Sequence, residues 1–189
     1  MDNRIIDASS VVLNKEDQVM FDCNVLMYLF YTYGTYSQET IRKYTNVFNT
    51  AISKGCRMYI PSIEISEFIN TYCRAEYKRY LRREKKTAQQ FDYKYAYRAT
   101  KDYEDTVKEI KSIINRQILS IFIKLDDEFS SIDISSIYYN VSEFDFNDRY
   151  YIKLAQKYDL KIITNDADFS GATENIEIIT ANRHLLLMK

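Results

Sequence analysis

Apolar residues in this chain fall into short continuous runs separated by longer stretches in which they recur every three or four positions. Four runs read as strands: Gln18-Val19-Met20-Phe21, stopping at Asp22; Met58-Tyr59-Ile60, stopping at Pro61; Leu160-Lys161-Ile162-Ile163-Thr164, stopping at Asn165-Asp166; and Ile176-Glu177-Ile178-Ile179. Runs this short, bounded by turn residues, fit buried strands. Between them the period becomes helical. Asn24 to Phe30 forms one helical stretch, ended before Gly34. Ser37 to Lys54 forms another, with Ile41, Tyr44, Phe48 and Ile52 on one face and Gly55 as its stop. Pro61-Ser62 opens a third, whose apolar positions are Ile63, Phe68, Ile69 and Tyr72. Asn147 to Tyr158 reads as a helix with Tyr151, Leu154 and Ala155 facing inward. Strands alternating with helices predict an α/β fold around a central parallel sheet of about four or five strands.

The middle of the chain is different. From Ser62 to Ala167 there is no Gly and no Pro, so most of that stretch is expected to be helical. Residues Tyr103 to Phe122 carry an apolar stripe of Val107, Ile110, Ile113, Ile114, Ile118 and Ile121. A helical hairpin bending near Thr87–Asp92 is expected. The reading is one domain over 1–189, with 74–122 as a helical, basic insertion.

Composition supports this and removes alternatives. With 3 Gly and 1 Pro in 189 residues, an all-β barrel or sandwich lacks the turn residues it needs. The net charge of −1 excludes nucleic-acid binding by overall charge. Its distribution is uneven, however: −2 over residues 1–73, +7 over 74–101 and −6 over 102–189. The 3 cysteines share no CxxC spacing, which argues against both a disulfide framework and a thiolate zinc site. No basic-then-apolar leader follows Met1 and no run of 18 apolar residues occurs, so a cytoplasmic protein with no membrane association is expected. His184 is the single histidine, so any catalysis must rest largely on carboxylates.

Two of the predicted strands end in acid, at Asp22 and Asp166. Open parallel sheets bind ligands at the carboxyl ends of their strands. Two carboxylates side by side repel unless a cation lies between them. Without histidine or cysteine nearby, the hard oxygen donors select Mg²⁺ or Mn²⁺. Glu67 and Asp148 lie near helix starts and join the candidates. Taken singly, each has a plain structural role: Asp148 as a first-turn acid complementing the helix dipole, Glu67 as a surface residue, Asp22 and Asp166 as turn residues. Four acids at strand ends and helix starts together point to a site.

The stretch Val19-Met20-Phe21-Asp22-Cys23-Asn24-Val25-Leu26 resembles the opening motif of PIN-domain nucleases: apolar strand, Asp, any residue, Asn, apolar helix. Ser66-Glu67-Phe68 is similar to that family's second motif. Asp148, seven positions before the helical Ala155, matches the third. Ile163-Thr164-Asn165-Asp166-Ala167-Asp168-Phe169 matches the fourth, and all four occur in order from Gln18 to Phe169.

The resemblance implies a three-layer α/β sandwich and an acidic pocket that binds Mg²⁺ or Mn²⁺ and cleaves phosphodiester bonds, usually in RNA. Asp22, Glu67, Asp148 and Asp166 become the metal-binding acids, with Asn24, Thr164 and Asp168 in support. Glu64 and Asp145 compete with Glu67 and Asp148. Toxins of toxin–antitoxin pairs and RNA-processing enzymes both occur in the family. An antitoxin partner and a homodimer therefore stand as expectations, and a non-catalytic PIN-like RNA- or protein-binding module stands as the alternative. The haloacid dehalogenase phosphatases also open on strand-Asp-helix, but they require Asp where this chain has Asn24.

The departure from pattern is the middle: Glu67 and Asp148 lie 81 positions apart, longer than in small PIN toxins. Within that span Arg74, Lys78, Arg79, Arg82, Arg83, Lys85 and Lys86 are candidates for gripping RNA phosphates. Tyr77, Tyr80, Tyr93, Tyr95 and Tyr97 are candidates for base stacking. The plainer readings are a solvated helix face and a docking surface for an acidic partner.

Overall fold

Six strands, all parallel, form one sheet in the order β1-β6-β5-β2-β3-β4. The computed structural model describes residues 4–127, 129–137, 146–171 and 175–187. The strands are β1 (Arg4–Asp7), β2 (Gln18–Phe21), β3 (Arg57–Pro61), β4 (Ile123–Leu125), β5 (Lys161–Ile163) and β6 (Glu177–Thr180). The chain divides into two compact units, one of residues 1–64 and 122–189, the other of 65–121.

The first unit holds the whole sheet, with helices on both faces. Side chains alternate along a strand, and β2 shows the consequence. Met20 faces one layer, packing with Ile162 and Ile178 against Tyr151, Ile152 and Ala155 of α6 (Phe146–Tyr158). Phe21 faces the other, edge-on to Phe48 of α2 (Gln38–Lys54) at 5.7 Å and to Phe122 at 5.5 Å. Phe30, the last residue of α1 (Cys23–Phe30), meets Phe48 at 5.9 Å. The result is a three-layer α/β sandwich around a parallel sheet, as the sequence predicts. A short helix, α7 (Arg183–Leu186), follows β6.

Local signals act where the sequence places them. Ser37 caps α2 by accepting the Thr40 N–H at 3.1 Å, and Gly55 ends it at φ 71°, a left-handed conformation favouring glycine. The two strands absent from the sequence reading, β1 and β4, are the edge strands. The tetrapeptide of β1 carries only two apolar residues. The three residues of β4 directly follow the isoleucine-rich stripe and continue its apolar pattern, so periodicity alone hides the change of element.

The second unit is helical. It takes most of α3 (Ser62–Arg83), then α4 (Lys101–Ile113), continued by a single π-helical turn over Ile114–Ile118 with Leu119 N–H donating to the Ile114 carbonyl at 2.8 Å. The expected helix over 103–122 therefore starts slightly earlier and loses its α register after Ile113. Lys85 adopts φ 52° just past the end of α3, taking the left-handed position where no glycine is available. The expected bend near 87–92 falls in the irregular segment before a 3-10 turn at Tyr97–Ala99. Tyr97, fully buried, centres an aromatic cluster, with Tyr77, Tyr80, Tyr93 and Tyr103 at 5.2–5.9 Å. Such pairs add about 0.5–1.5 kcal/mol each beyond area burial.

Candidate active site

Because the strands are parallel, their carboxyl ends share one edge: Asp7, Asp22, Pro61, Leu125, Thr164 and Ala181 all lie at or just past it. Asp22 follows β2 and occupies the N-cap position of α1, yet its side chain makes no capping hydrogen bond. Instead its carboxylate, with Asp22 only 6% exposed, turns across to the neighbouring strand end. Thr164 Oγ1 donates to Asp22 Oδ2 at 2.5 Å, and Asn24 Nδ2 donates to the same oxygen. A helix-start aspartate normally caps its own helix. Asp22 instead is buried and bonded to Thr164 on the neighbouring strand and to the Asn24 side chain.

The loop after β5 is tied down as closely. Thr164 Oγ1 accepts the Asp166 N–H at 2.9 Å, so one hydroxyl links the Asp22 carboxylate to the backbone of Asp166. Asn24 Oδ1 accepts the Asn165 N–H at 3.0 Å. The Asn182 side chain donates to the Asn165 carbonyl at 2.7 Å. Tyr44, fully buried on α2, reaches the Thr164 carbonyl at 2.8 Å and Asn165 Oδ1 at 2.9 Å, and accepts the Ala181 N–H at 2.9 Å. Asp166 accepts the Asp168 N–H at 3.0 Å, and the Asp168 side chain is exposed. Among the supporting residues, Asn24 and Thr164 thus touch Asp22 directly, while Asp168 offers only its backbone.

Tyr28 on α1 reports the local field. Burial raises its hydroxyl pKa; hydrogen bonding from Asn165 works the other way, and the charges of Asp22 and Asp166 raise it further. Both carboxylates therefore act on one phenol. Tyr44 is also raised strongly, chiefly by burial. Each hydroxyl remains protonated at neutral pH.

The remaining acids are placed by topology. α6 runs into β5 through a two-residue turn, so it runs against the strand and its first turn, with half-buried Asp148, lies at the carboxyl edge. Contacts agree: the Tyr150 hydroxyl donates to the Asp127 carbonyl at 2.9 Å, and the Asp127 carboxylate accepts the Ser62 N–H at 3.2 Å and the Ser62 hydroxyl. The starts of α6 and α3 thus meet beyond β3 and β4. Glu64, in the first turn of α3, is fully buried; Glu67, one turn on and half-buried, lies past the point where the chain enters the second unit. Asp145 lies outside the described residues. Among the described residues, no three acidic, histidine or cysteine side chains are gathered into a metal-binding group. The arrangement ties the Asp22 carboxylate and the Asp166 backbone to one hydroxyl and puts Asp148 and Glu64 on the same edge.

Of the basic candidates in the second unit, four are engaged within it. Arg74 stacks on Tyr93 at 3.8 Å; Arg79 holds buried Glu76 at 2.5 Å; Arg83 pairs with Asp102 at 2.7 Å; Lys86 lies 4.2 Å from the Phe91 ring centroid. Lys78, Arg82 and Lys85 are exposed and have no carboxylate partner among the described residues. The tyrosines correct the expectation of base stacking. Tyr77 and Tyr97 are buried in the cluster, and Tyr95 stands out at 79% exposure.

The PIN domain family model matches residues 19–175. The chain belongs to the PIN-domain family. Proteins of this family are generally nucleases and use divalent metal. A crystal structure of VapBC2 from Rickettsia felis, bound to a DNA fragment from their promoter, shares the fold at 12% identity and a TM-score of 0.52, covering 86% of this chain and 98% of that one. A crystal structure of PAE2754 from Pyrobaculum aerophilum is similar at 16% identity and a TM-score of 0.45, covering 92% of this chain and 90% of that one. No curated protein matches the chain in sequence. Among the described residues, no helix is long and apolar enough to cross a membrane.

The Tyr28, Tyr44, Asn165 and Asn182 contacts were not legible in the sequence. Tyr44 sits in the apolar stripe of its helix and reads as core. Only the fourth motif gave a signal, because Asn165 fills its variable position between Thr164 and Asp166.

Proposed function

We propose that the chain is a metal-dependent endoribonuclease, hydrolysing RNA phosphodiester bonds at the carboxyl edge of its sheet, and the toxin of a toxin–antitoxin pair. The observation that carries the reading is Asp22: a buried carboxylate that does not cap its own helix and is joined through the Thr164 hydroxyl to the backbone N–H of Asp166.

The donors fit a hard divalent cation. Mg²⁺ keeps several waters and is bound through one or two carboxylates plus substrate phosphate, so the pair Asp22 and Asp166 suffices as a nucleus. Asp148 and Glu67 are the further acids of the proposed four-carboxylate site, and Mg²⁺ or Mn²⁺ is the proposed ion. When bound, the cation supplies charge neutralisation at the phosphate and a water of lowered pKa. The chain's own residues orient and hold charge. Thr164 and Asn24 donate to Asp22 Oδ2, which fixes the plane of its carboxyl group. Tyr44 and Asn182 hold the backbone of the 164–166 loop, so Asp166 is presented from a fixed position. In the second unit, Arg74, Lys78, Arg79, Arg82, Arg83, Lys85 and Lys86 are the proposed RNA-gripping set, led by Lys78, Arg82 and Lys85, which have no carboxylate partner among the described residues. The VapBC2 neighbour supports an antitoxin protein as partner; a homodimer and a cytoplasmic location complete the proposal.

The alternative, a non-catalytic PIN-like module, is favoured by one observation, that no three acids are gathered among the described residues. One experiment separates the two. Calorimetric titration with Mn²⁺, and cleavage of single-stranded RNA, are measured for the wild type and for Asp22→Asn. Removing a ligand that supplies several kcal/mol is expected to lower the rate on the order of 10²–10⁴-fold while circular dichroism is unchanged. Absence of both Mn²⁺ binding at millimolar concentration and cleavage in the wild type establishes the module instead.

A further inference from the structure

A polyanion approaching the carboxyl edge of the first unit meets net negative charge. Residues 1–64 and 122–189 carry 13 basic and 19 acidic side chains, a net of −6. A counter-charge is effective only within roughly a Debye length, ~10 Å at 0.1 M salt. A nuclease of this form therefore needs cations on that same edge, close to Asp22 and Asp166.

The structure supplies them two strands away. Strand order puts β6 beside β5, and β1 beyond β6. Neighbouring strands lie ~4.8 Å apart, so the ends of β6 and β1 are about 5 and 10 Å along the edge from the end of β5. Arg183, the first residue of α7, follows β6; it is exposed, and the residue before it, Asn182, is bonded to the Asn165 carbonyl. On α2, Arg42 and Lys43 immediately precede Tyr44, whose hydroxyl grips the Thr164 carbonyl. The two side chains anchoring the acidic loop are thus each adjacent in sequence to a cation. Beyond the end of β1, a hollow of about 310 Å³ opens beside α2, lined by Ser9, Arg42, Lys43, Asn46 and Thr50 among others.

The charges there converge. Glu39 lies among them, its carboxyl held below the usual range by hydrogen bonding and charge from Lys43, with Arg183 and Arg42 adding to the effect. Lys43 pairs with Glu39 at 2.9 Å. Asp7, at the end of β1, accepts the Ser9 N–H at 2.7 Å. Arg42 and Arg183 have no ion-pair partner among the described residues.

We infer that Arg42 and Arg183, with Lys43 and the adjoining hollow, form a phosphate-binding track that carries the single-stranded RNA backbone along the sheet edge to the carboxylates. This rests on the nuclease reading and locates the substrate strand within the sheet-bearing unit. A stacked strand carries a charge every ~3.4 Å, so the track contacts phosphates a few nucleotides from the one at Asp22 and Asp166. Guanidinium groups suit this contact, since their planar donors match phosphate oxygens in pairs.

The test is equilibrium binding of a fluorescein-labelled oligouridylate dodecamer by the full chain in Ca²⁺, over a series of salt concentrations, beside cleavage in Mn²⁺. For the double variant Arg42→Gln, Arg183→Gln, weaker affinity is expected, with the log–log salt slope shallower by about 1.4, since each phosphate contact to a single strand contributes about 0.7. The KM for RNA rises while kcat holds. The charge-conserving pair Arg42→Lys, Arg183→Lys keeps the slope. Lys15→Gln, an exposed cation preceding β2 at the opposite edge, also leaves it unchanged. A double variant with wild-type affinity and slope overturns the track, as does a wild type with no measurable RNA affinity. If the slope change appears but no wild-type cleavage occurs in Mg²⁺ or Mn²⁺, the track stands and the nuclease reading falls.

Discussion

In the sheet-bearing unit the tyrosine hydroxyls do the work. Tyr44 bonds to a strand-end carbonyl, an asparagine side chain and an N–H beyond β6, and the Tyr28 hydroxyl accepts from the Asn165 side chain within the field of Asp22 and Asp166. In the helical unit ring packing dominates, although the Tyr77 hydroxyl donates to the Phe91 carbonyl at 2.5 Å and the Tyr97 hydroxyl to Asp102 at 2.9 Å. Tyr77, Tyr80, Tyr93 and Tyr103 surround Tyr97, and Arg74, Arg83, Lys86 and Arg98 lie over the faces of the cluster's rings. The charge differs in the same sense: −6 for the first unit, and +5 for the second from 13 basic and 8 acidic side chains. A carboxyl-edge site needs atoms fixed to a fraction of an ångström, which directional hydrogen bonds provide. A unit assembled from two helices and an irregular connection, with no glycine or proline to set its turns, gains its cohesion from large, weakly directional aromatic contacts.

The largest effect that tests this contrast is expected from Tyr97→Ala. Removing a large aromatic from a packed cluster costs about 3–5 kcal/mol. Amide hydrogen exchange should show protection lost across 65–121 while the strands of the sheet keep theirs. Equal loss in both units would show that they share one cooperative core and that the division is only geometric.

A smaller effect is expected from Tyr44→Phe. The ring still fills its site, but the Ala181 N–H loses its acceptor and the Thr164 carbonyl a donor, at about 1–3 kcal/mol. The informative readout is Mn²⁺ affinity by calorimetry, because the loop bearing Asp166 loses an anchor. Tyr80→Phe in the other unit, where the ring matters more than the hydroxyl, should leave Mn²⁺ affinity at the wild-type value. If both substitutions lower that affinity alike, the assignment of hydroxyls to one unit and rings to the other fails.

The smallest effect on stability, within about 0.5 kcal/mol, is expected from replacing Lys78, Arg82 and Lys85 together with glutamine. Their exposed side chains hold no partner among the described residues, so thermal unfolding should hardly move. If these residues grip RNA, the salt slope for oligouridylate binding falls by about 2. An unchanged slope would assign RNA contact to the sheet-bearing unit alone and leave the second unit's free cations as a solvated face.

How much of this was legible beforehand follows from the kind of signal each feature carries. The strand-Asp-x-Asn opening, Asp148 seven residues before Ala155, and Thr164-Asn165-Asp166 are local patterns, and the structure puts Asp22, Thr164, Asn24 and Asp166 in one network. Helix ends were equally legible, because Ser37 and Gly55 act within a single turn. The edge strands were not. Strands β1 and β4 are three or four residues long, and pairing with β6 and β3, not their own composition, makes them strands. Glu64 and Glu67 show the same limit at the site: both fit the second motif's surroundings, and their different burial appears only once α3 is placed.

The sequence by itself determined the alternation of elements, the chemistry of the donors and the family, since each depends on residue type and short spacing. Tertiary structure decided which hydroxyl meets which carbonyl, which arginines are engaged and which are not, and that Asp22 bonds to Thr164 and the Asn24 side chain instead of capping the backbone of its helix. The contacts that tie Asp22, Asn24 and Tyr44 to the 164–165 loop join residues 120 to 142 positions apart. Their geometry is set by sheet order and layer packing, which the periodicity of a single segment does not encode.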